Sequence, residues 1–187
     1  MVLEGVAVDA AAWDTAELVE AKVESSSIVG VSLGGAEVDA AWSSFERCDF
    51  SGADVVRLRE CTIVDSRCTG LDLSEAELLD VVFERCLVNI ANLRMAKLGR
   101  VSFVDCTLRD VDCYEAELTD VSFPGSTLEQ VSLDRTKMSR VDLRDASELG
   151  LVAVASLAGC LVTEGQLIGL LHHLALAAGL DIERKPD

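Results

Sequence analysis

Histidine, basic residues and long apolar runs are scarce in this chain. It has two histidines in 187 residues. They are neighbours, His172 and His173, and would point about 100° apart on a helix, so they could not share a metal. HExxH, GxSxG and Walker sequences are all absent, which leaves no zinc helix, nucleophile elbow or phosphate loop on which to build an enzyme. No CxxC occurs among the seven cysteines, and their odd number argues against a disulfide framework. No apolar run approaches the roughly 20 residues that a membrane helix needs. The opening Met-Val-Leu-Glu lacks the basic start of a signal peptide. Lysine and arginine number 16 against 33 acids, a net charge of −17. That balance argues against nucleic acid or an anionic membrane as the partner. It leaves a basic protein partner, or solubility alone, as the role of the acids.

A five-residue internal repeat is what the sequence does contain. Cut from Cys61, it reads CTIVD SRCTG LDLSE AELLD VVFER CLVNI ANLRM AKLGR VSFVD CTLRD VDCYE AELTD VSFPG STLEQ VSLDR TKMSR VDL. The third residue of each block, from Ile63 to Leu143, is never polar, and the first is small or apolar. A helical period would smear this stripe, and strict alternation fails in every block. The pattern predicts a coil in which first and third residues point inward and the others outward, with four blocks closing a square turn of about 20 residues.

A twenty-residue period should sort residue types by face, and it does. Phe83, Phe103 and Phe123 share one face, preceded by Val81, Val101 and Val121, while Ala76, Ala96 and Ala116 mark another. Outward positions alternate in sign at the same interval: Glu77, Lys97, Glu117 and Lys137, and again Asp80, Arg100, Asp120 and Arg140. Stacked parallel strands about 4.8 Å apart would make these opposite-charge ladders that hold register. Cys48, Cys61, Cys86 and Cys106 take inward first positions and Cys68 and Cys113 inward centres, so cysteine here acts as a small hydrophobe in a reduced, cytoplasmic protein. Cys86 and Cys106 fall in adjacent turns, where only an oxidative crosslink would join them. The pattern calls for no metal and no cofactor.

The same register runs from the start of the chain, with Trp13 either closing the open end of the coil or lying in an irregular cap. Between Ala40 and Glu60 the frame breaks: Phe45, Phe50 and Val55 become centres, as if two residues entered before Phe45 and three more before Ile63. A bulge or short loop at a corner is expected there, with Trp42 as a lid over it or as an exposed contact residue. After Leu143 the repeat decays, since Glu148 falls on a centre that an unpaired charge cannot occupy. Thr163 and Gln166 have capping-box spacing, predicting a helix from Glu164 to about Ala178 stopped by Gly179 and followed by a short strand at Leu180 to Ile182. The organisation is therefore a coil over residues 1–150, irregular at 40–60, and a C-terminal cap over 151–187. The helix is apolar on more than one face. One face can cover the coil end, and Leu167, Leu170, Leu171, Leu174, Ala178, Leu180 and Ile182 are expected to form a homodimer contact.

Blocks such as AELLD, AELTD and ANLRM resemble the A(D/N)LXX pattern of the pentapeptide-repeat proteins over roughly residues 1 to 150. The resemblance implies an all-β solenoid, a right-handed quadrilateral β-helix with a C-terminal α-helical cap. The ending ASLAGCLVTEGQLIGLLHHLALAAGLDIE looks like the C-terminal helix and dimer segment of the quinolone-resistance members of MfpA type, without the long loops of the Qnr branch. It implies a DNA mimic that binds DNA gyrase, or another basic DNA-binding protein, and protects it.

Charge bears on that implication. About seven turns give a rod of roughly 34 Å, and −17 over that length approaches the spacing of about one charge per 1.7 Å in duplex DNA. In residues 62–147 the ladder face is neutral, and the excess falls on two others. The candidate mimic residues are Asp65, Glu84, Asp105, Asp142 and Asp145 on the phenylalanine face and Asp72, Glu75, Asp112, Glu115 and Asp134 on the face of Leu73 and Leu93. Glu17, Glu20, Glu37 and Asp39 form a further acidic cluster near the N-terminus, on the column that later becomes the ladder. A second reading is a rigid interaction scaffold for another basic or apolar partner.

Overall fold

The computed structural model describes residues 37–152 and 157–180, and before them the backbone of the strands Val2–Glu4, Ala7–Asp9, Glu20–Glu24 and Ser27–Val29. Every described strand pair is parallel, and from Arg57 to Lys137 the partner lies twenty residues on: Arg57 with Glu77, Glu77 with Lys97, Lys97 with Glu117, Glu117 with Lys137. This is the stacked square coil that the block pattern predicts. Phe83, Phe103 and Phe123 lie one above another, their ring centroids 4.9 and 5.3 Å apart and nearly coplanar in tilt. First and third residues fill the tube; Ala76, Val81, Ala96, Ala116 and Val121 are fully buried.

The corners have a single backbone solution. The fifth residue of nearly every block is left-handed, with φ between 49° and 60° at Glu60, Asp65, Glu75, Asp80, Arg85 and their successors, and with glycine at Gly70 and Gly125. This conformation costs an L-residue about 1 kcal/mol. It is retained because the corner N–H stays in the ladder: that of Glu60 donates to the Leu79 carbonyl at 2.8 Å, that of Asp65 to Glu84 at 2.9 Å and that of Arg85 to Val104 at 2.9 Å.

The irregularity at 40–60 is a contraction, which corrects the expected insertion. Ile28 pairs with Phe45 and Ser44 with Thr62, so successive turns hold 17 and 18 residues rather than twenty. A bulge is present at a corner: Val38 pairs with Val55 but Asp39 with Arg57, which turns Val56 out to 47% exposure. Trp42 occupies a left-handed corner at 53% exposure and covers nothing, so the lid expectation is replaced by the exposed one. Trp13 lies outside the described residues. At the other end Glu148 turns outward because the register gains one residue, Leu128 pairing with Leu149 so that a leucine keeps the inward place.

The helix Glu164–Ala177 closes the coil. Thr163 Oγ1 accepts from the Gln166 N–H and Gln166 Oε1 from the Thr163 N–H, the predicted capping box, and Gly179 ends the helix with φ 76°. Gln166 also ties the helix to the last coil, its Nε2 donating to the Leu143 carbonyl at 2.8 Å. Leu170 is buried and Leu174 packs partly against the core, so these two cover the coil end rather than face a partner. Leu180 follows the helix without strand structure, and the rest of the expected strand, Ile182 included, lies outside the described residues.

Candidate protein-interaction surfaces

Outward side chains repeat every turn, so the function of each face follows from what its columns stack. The ladder face is a register device. Asp39 is clamped by Arg57 through two hydrogen bonds of 3.0 and 2.7 Å, Lys137 bonds Glu117 at 2.7 Å, and Arg100 and Arg140 pair two-fold with Asp80 and Asp120. These cations hold the Asp80, Asp120 and Glu117 carboxyls below their ordinary range. Lys22 stands in register with Asp39, so the alternation runs Lys22, Asp39, Arg57, Glu77, Lys97, Glu117, Lys137. Asp39 is thus a rung, on the column expected for its cluster, whereas Glu20 and Glu37 stand in register outside that column. An open depression of about 250 Å³ on this face lies where Gly99 has no side chain beside Leu79 and Thr119; its ionisable walls are the rungs Arg57, Glu77, Lys97 and Glu117, with Arg59 in register with Leu79.

The phenylalanine face is largely neutralised. Arg85 takes both Asp65, at 2.7 and 3.1 Å, and Glu84, and holds the Asp65 carboxyl low. Asp142 is bound by Arg144 at 2.7 Å. Among the described residues Asp105 and Asp145 have no ion pair.

The face of Leu73 and Leu93 keeps more of its charge. Its second positions from Glu37 on form one continuous column, which the shortened turn extends to the fifth-position Glu20: Glu20 pairs with Glu37, Glu37 with Asp54, Asp54 with Asp72, Asp72 with Asn92, and Asn92 with Asp112. Like charges directly opposite in a sheet destabilise it, yet the fold stacks them. Asp72 and Asp112 also hold their turns, accepting the Ser74 and Tyr114 N–H groups at 2.9 Å, and Asn92 does the same for Arg94. Asn92 Nδ2 donates to Asp72 at 3.0 Å, and Arg94 pairs with Asp112 at 3.0 Å. Arg135 reaches Glu115 at 3.5 Å. Among the described residues Glu37, Asp54, Glu75 and Asp134 have no ion pair. Beside the column Arg94 lies over the Tyr114 ring at 4.7 Å, with Arg135 at 5.6 Å. Glu17 is outside the described residues.

Asp54 was missed from sequence because the contracted turn hides its alignment with Asp72; an eighteen-residue interval through CDFSG and ADV would have found it. The end of the rod is a different surface: Leu161, Leu167, Ile168, Leu171, Leu176 and Leu180 are 41–63% exposed. Space around Gly165 and Gly169 is open. The rings of His172 and His173 are 5.9 Å apart and nearly perpendicular on the exposed side of the helix. Six cysteines are buried and all seven are free thiols, and burial pushes Cys113 up to about 12. No group of three His, Cys, Asp or Glu side chains able to hold a metal occurs among the described residues. No helix among them is long and apolar enough to cross a membrane.

Residues 91–123 and 112–147 match the family model described as pentapeptide repeats (8 copies). The chain is a parallel β-helix, and its residues 91–147 are pentapeptide repeats. None of the curated proteins matches it. Solved structures similar to this pentapeptide-repeat coil include a trypsin-treated variant of QnrB1, a plasmid-mediated fluoroquinolone resistance protein. That likeness has 14% identity over 98% of this chain and 99% of the other, with a TM-score of 0.32. Another is the pentapeptide-repeat protein Rfr23 from the cyanobacterium Cyanothece 51142, at 16% identity over 67% and 90% of the two chains and a TM-score of 0.36. HetL, involved in heterocyst differentiation regulation in Nostoc, has 13% identity over 77% and 90% and a TM-score of 0.26. With scores this low, the pentapeptide-repeat assignment stands on the strand register and the family match.

Proposed function

We propose that this protein is a binding rod, not an enzyme, whose acidic column enters the basic DNA-binding surface of a protein, with DNA gyrase as the first candidate partner. The observation that carries this reading is the column Glu37, Asp54, Asp72, Asn92, Asp112, in which four carboxylates stand on one line of the tube at about 4.8 Å per turn, with the backbone of Glu20 in register with Glu37. A line of negative charge at about one per 4.8 Å, sparser than the roughly 1.7 Å of duplex DNA but carried on a regular stacked scaffold, is what a groove built for phosphates would accept. The MfpA-like ending supports gyrase as the partner and protection from quinolones as the consequence. Two copies join tail to tail through Leu167, Leu171, Ala178 and Leu180 with Ile168. Gly165 and Gly169 let the backbones approach, and the acidic rod doubles in length. The buried free thiols suit a reducing compartment, the cytoplasm.

The test is inhibition of gyrase supercoiling by purified protein, with and without a quinolone, comparing wild type with the triple variant Asp54→Asn, Asp72→Asn, Asp112→Asn. Asn92 shows that asparagine fits this column and keeps the turn. Inhibition by wild type at micromolar concentration, weakened at least tenfold in the variant, is expected. No inhibition by folded wild type removes gyrase as partner; equal inhibition by both removes the column as the surface.

A further inference from the structure

Two adjacent corners of one turn break the residue preference of every neighbouring corner. Ile90 and Met95 are left-handed, at φ 54° and 58°, and stand 61% and 46% exposed. A β-branched side chain at positive φ is a steric outlier. The residues above and below Ile90 in its column, Gly70, Asp110 and Gln130, show what the corner otherwise takes, as do Glu75, Glu115 and Arg135 for Met95. Leu87, 43% exposed on the strand that leads to Ile90, stands in register with Arg67 and Thr107. The fold thus places three large apolar side chains in solvent where polar residues or glycine are used in the adjacent turns, two of them at the left-handed corners that every turn repeats. Apolar exposure at positions that otherwise take polar residues or glycine marks a contact site.

The surroundings define the partner. One turn to either side of Met95 in its column are Glu75 and Glu115, Asp110 lies one turn beyond Ile90, and the acidic column runs between the two corners. Large apolar groups ringed by charge have the arrangement of a binding hot spot. We propose that Leu87, Ile90 and Met95 form an anchor that inserts into an apolar pocket rimmed by lysine or arginine on the rod's protein partner. The inference rests on the binding-rod reading and adds to it a contact that salt does not screen: a pure charge mimic loses affinity steeply with salt, whereas an apolar anchor retains its part.

The experiment measures binding of purified DNA gyrase to wild type and to the variant Ile90→Asn, Met95→Glu at 0.1 and 0.5 M KCl, together with the melting temperature of each. The proposal expects the wild type to retain measurable binding at 0.5 M. It expects the variant to bind about tenfold more weakly or worse at both salts while melting at or above the wild-type temperature. Equal binding by both proteins overturns the anchor and leaves the acidic rod standing. If wild type fails to bind gyrase at either salt, the gyrase reading falls and a second arm decides. Protein labelled at isoleucine and methionine methyls is titrated with an amphipathic Lys/Leu peptide: saturable shifts at Ile90 and Met95 sustain the anchor, and shifts confined to Ile168 of the helix overturn it.

Discussion

Among the described residues seventeen that are not glycine sit at positive φ, one at almost every corner, and the chain tolerates them because corner N–H groups such as those of Glu60, Glu75, Met95 and Glu115 remain bonded to the neighbouring turn. The tolerance ends where a Cβ meets backbone. At Gly159, φ 88°, a Cβ would lie 2.0 Å from the Met138 carbonyl oxygen. Gly159→Ala is therefore expected to cost about 2 kcal/mol or more, read as a lowered urea midpoint, whereas an unchanged midpoint would show that the last coil shifts freely. Inside the tube Phe103 is stacked from both sides at 4.9 and 5.3 Å, so Phe103→Ala should destabilise by about 3–5 kcal/mol. The inward residues were legible in the sequence because burial itself imposes the pattern, with Phe83, Phe103 and Phe123 giving the turn length directly. The left-handed corners were not, since Asp, Glu, Arg and even Ile90 occupy them, and the cause is a backbone hydrogen bond that leaves no side-chain signature.

Elements are held in register by charge pairs and one cap. Asp65, Asp80 and Asp120 have carboxyls lowered by Arg85, Arg100 and Arg140. A folded-state pKa below the unfolded value, about 3.9 for Asp, contributes stability above the unfolded pKa and loses it as pH falls through the folded one. The difference in urea midpoint between wild type and an Asp65→Asn, Asp80→Asn, Asp120→Asn variant should be present at pH 7 and shrink as pH falls below the unfolded value of about 3.9 and through the lowered folded ones; a difference that does not shrink with acid would mean the pairs act by packing. Thr163→Ala removes one half of the capping box and should cost about 1 kcal/mol of stability.

Frame counting shows why the irregular stretch was misread. Adding two residues and removing three shift a five-residue frame identically, so the blocks around Phe45 and Ile63 could not distinguish insertion from contraction; only the pairing of Ile28 with Phe45 does. The error hid Asp54 from the candidate site and Lys22 and Arg57 from the ladder. It also placed Glu20 and Glu37 on the ladder column with Asp39, whereas the pairing puts them in the acidic column and leaves Asp39 as the rung.

At the scale of the molecule, net charge says less than where cations stand. The phenylalanine face has most of its acids paired within itself, whereas Glu37, Asp54, Glu75 and Asp134 remain without ion pairs among the described residues along the neighbouring face. The rod ends in a helix with exposed Ile168 and Leu171, and the variant Ile168→Asp, Leu171→Asp should elute at half the mass of wild type by light scattering while its circular dichroism stays the same. Wild type at monomer mass would remove the tail-to-tail dimer.

The most direct measurement of the central claim is equilibrium competition between this protein and a labelled DNA duplex for DNA gyrase, repeated from 0.05 to about 0.3 M salt, the range over which phosphate mimicry should act. A shared site predicts that the protein displaces the duplex fully, with an affinity that falls steeply as salt rises and falls at any salt when Asp54, Asp72 and Asp112 are neutralised. Binding of protein and duplex to gyrase together, each indifferent to the other, would contradict the account.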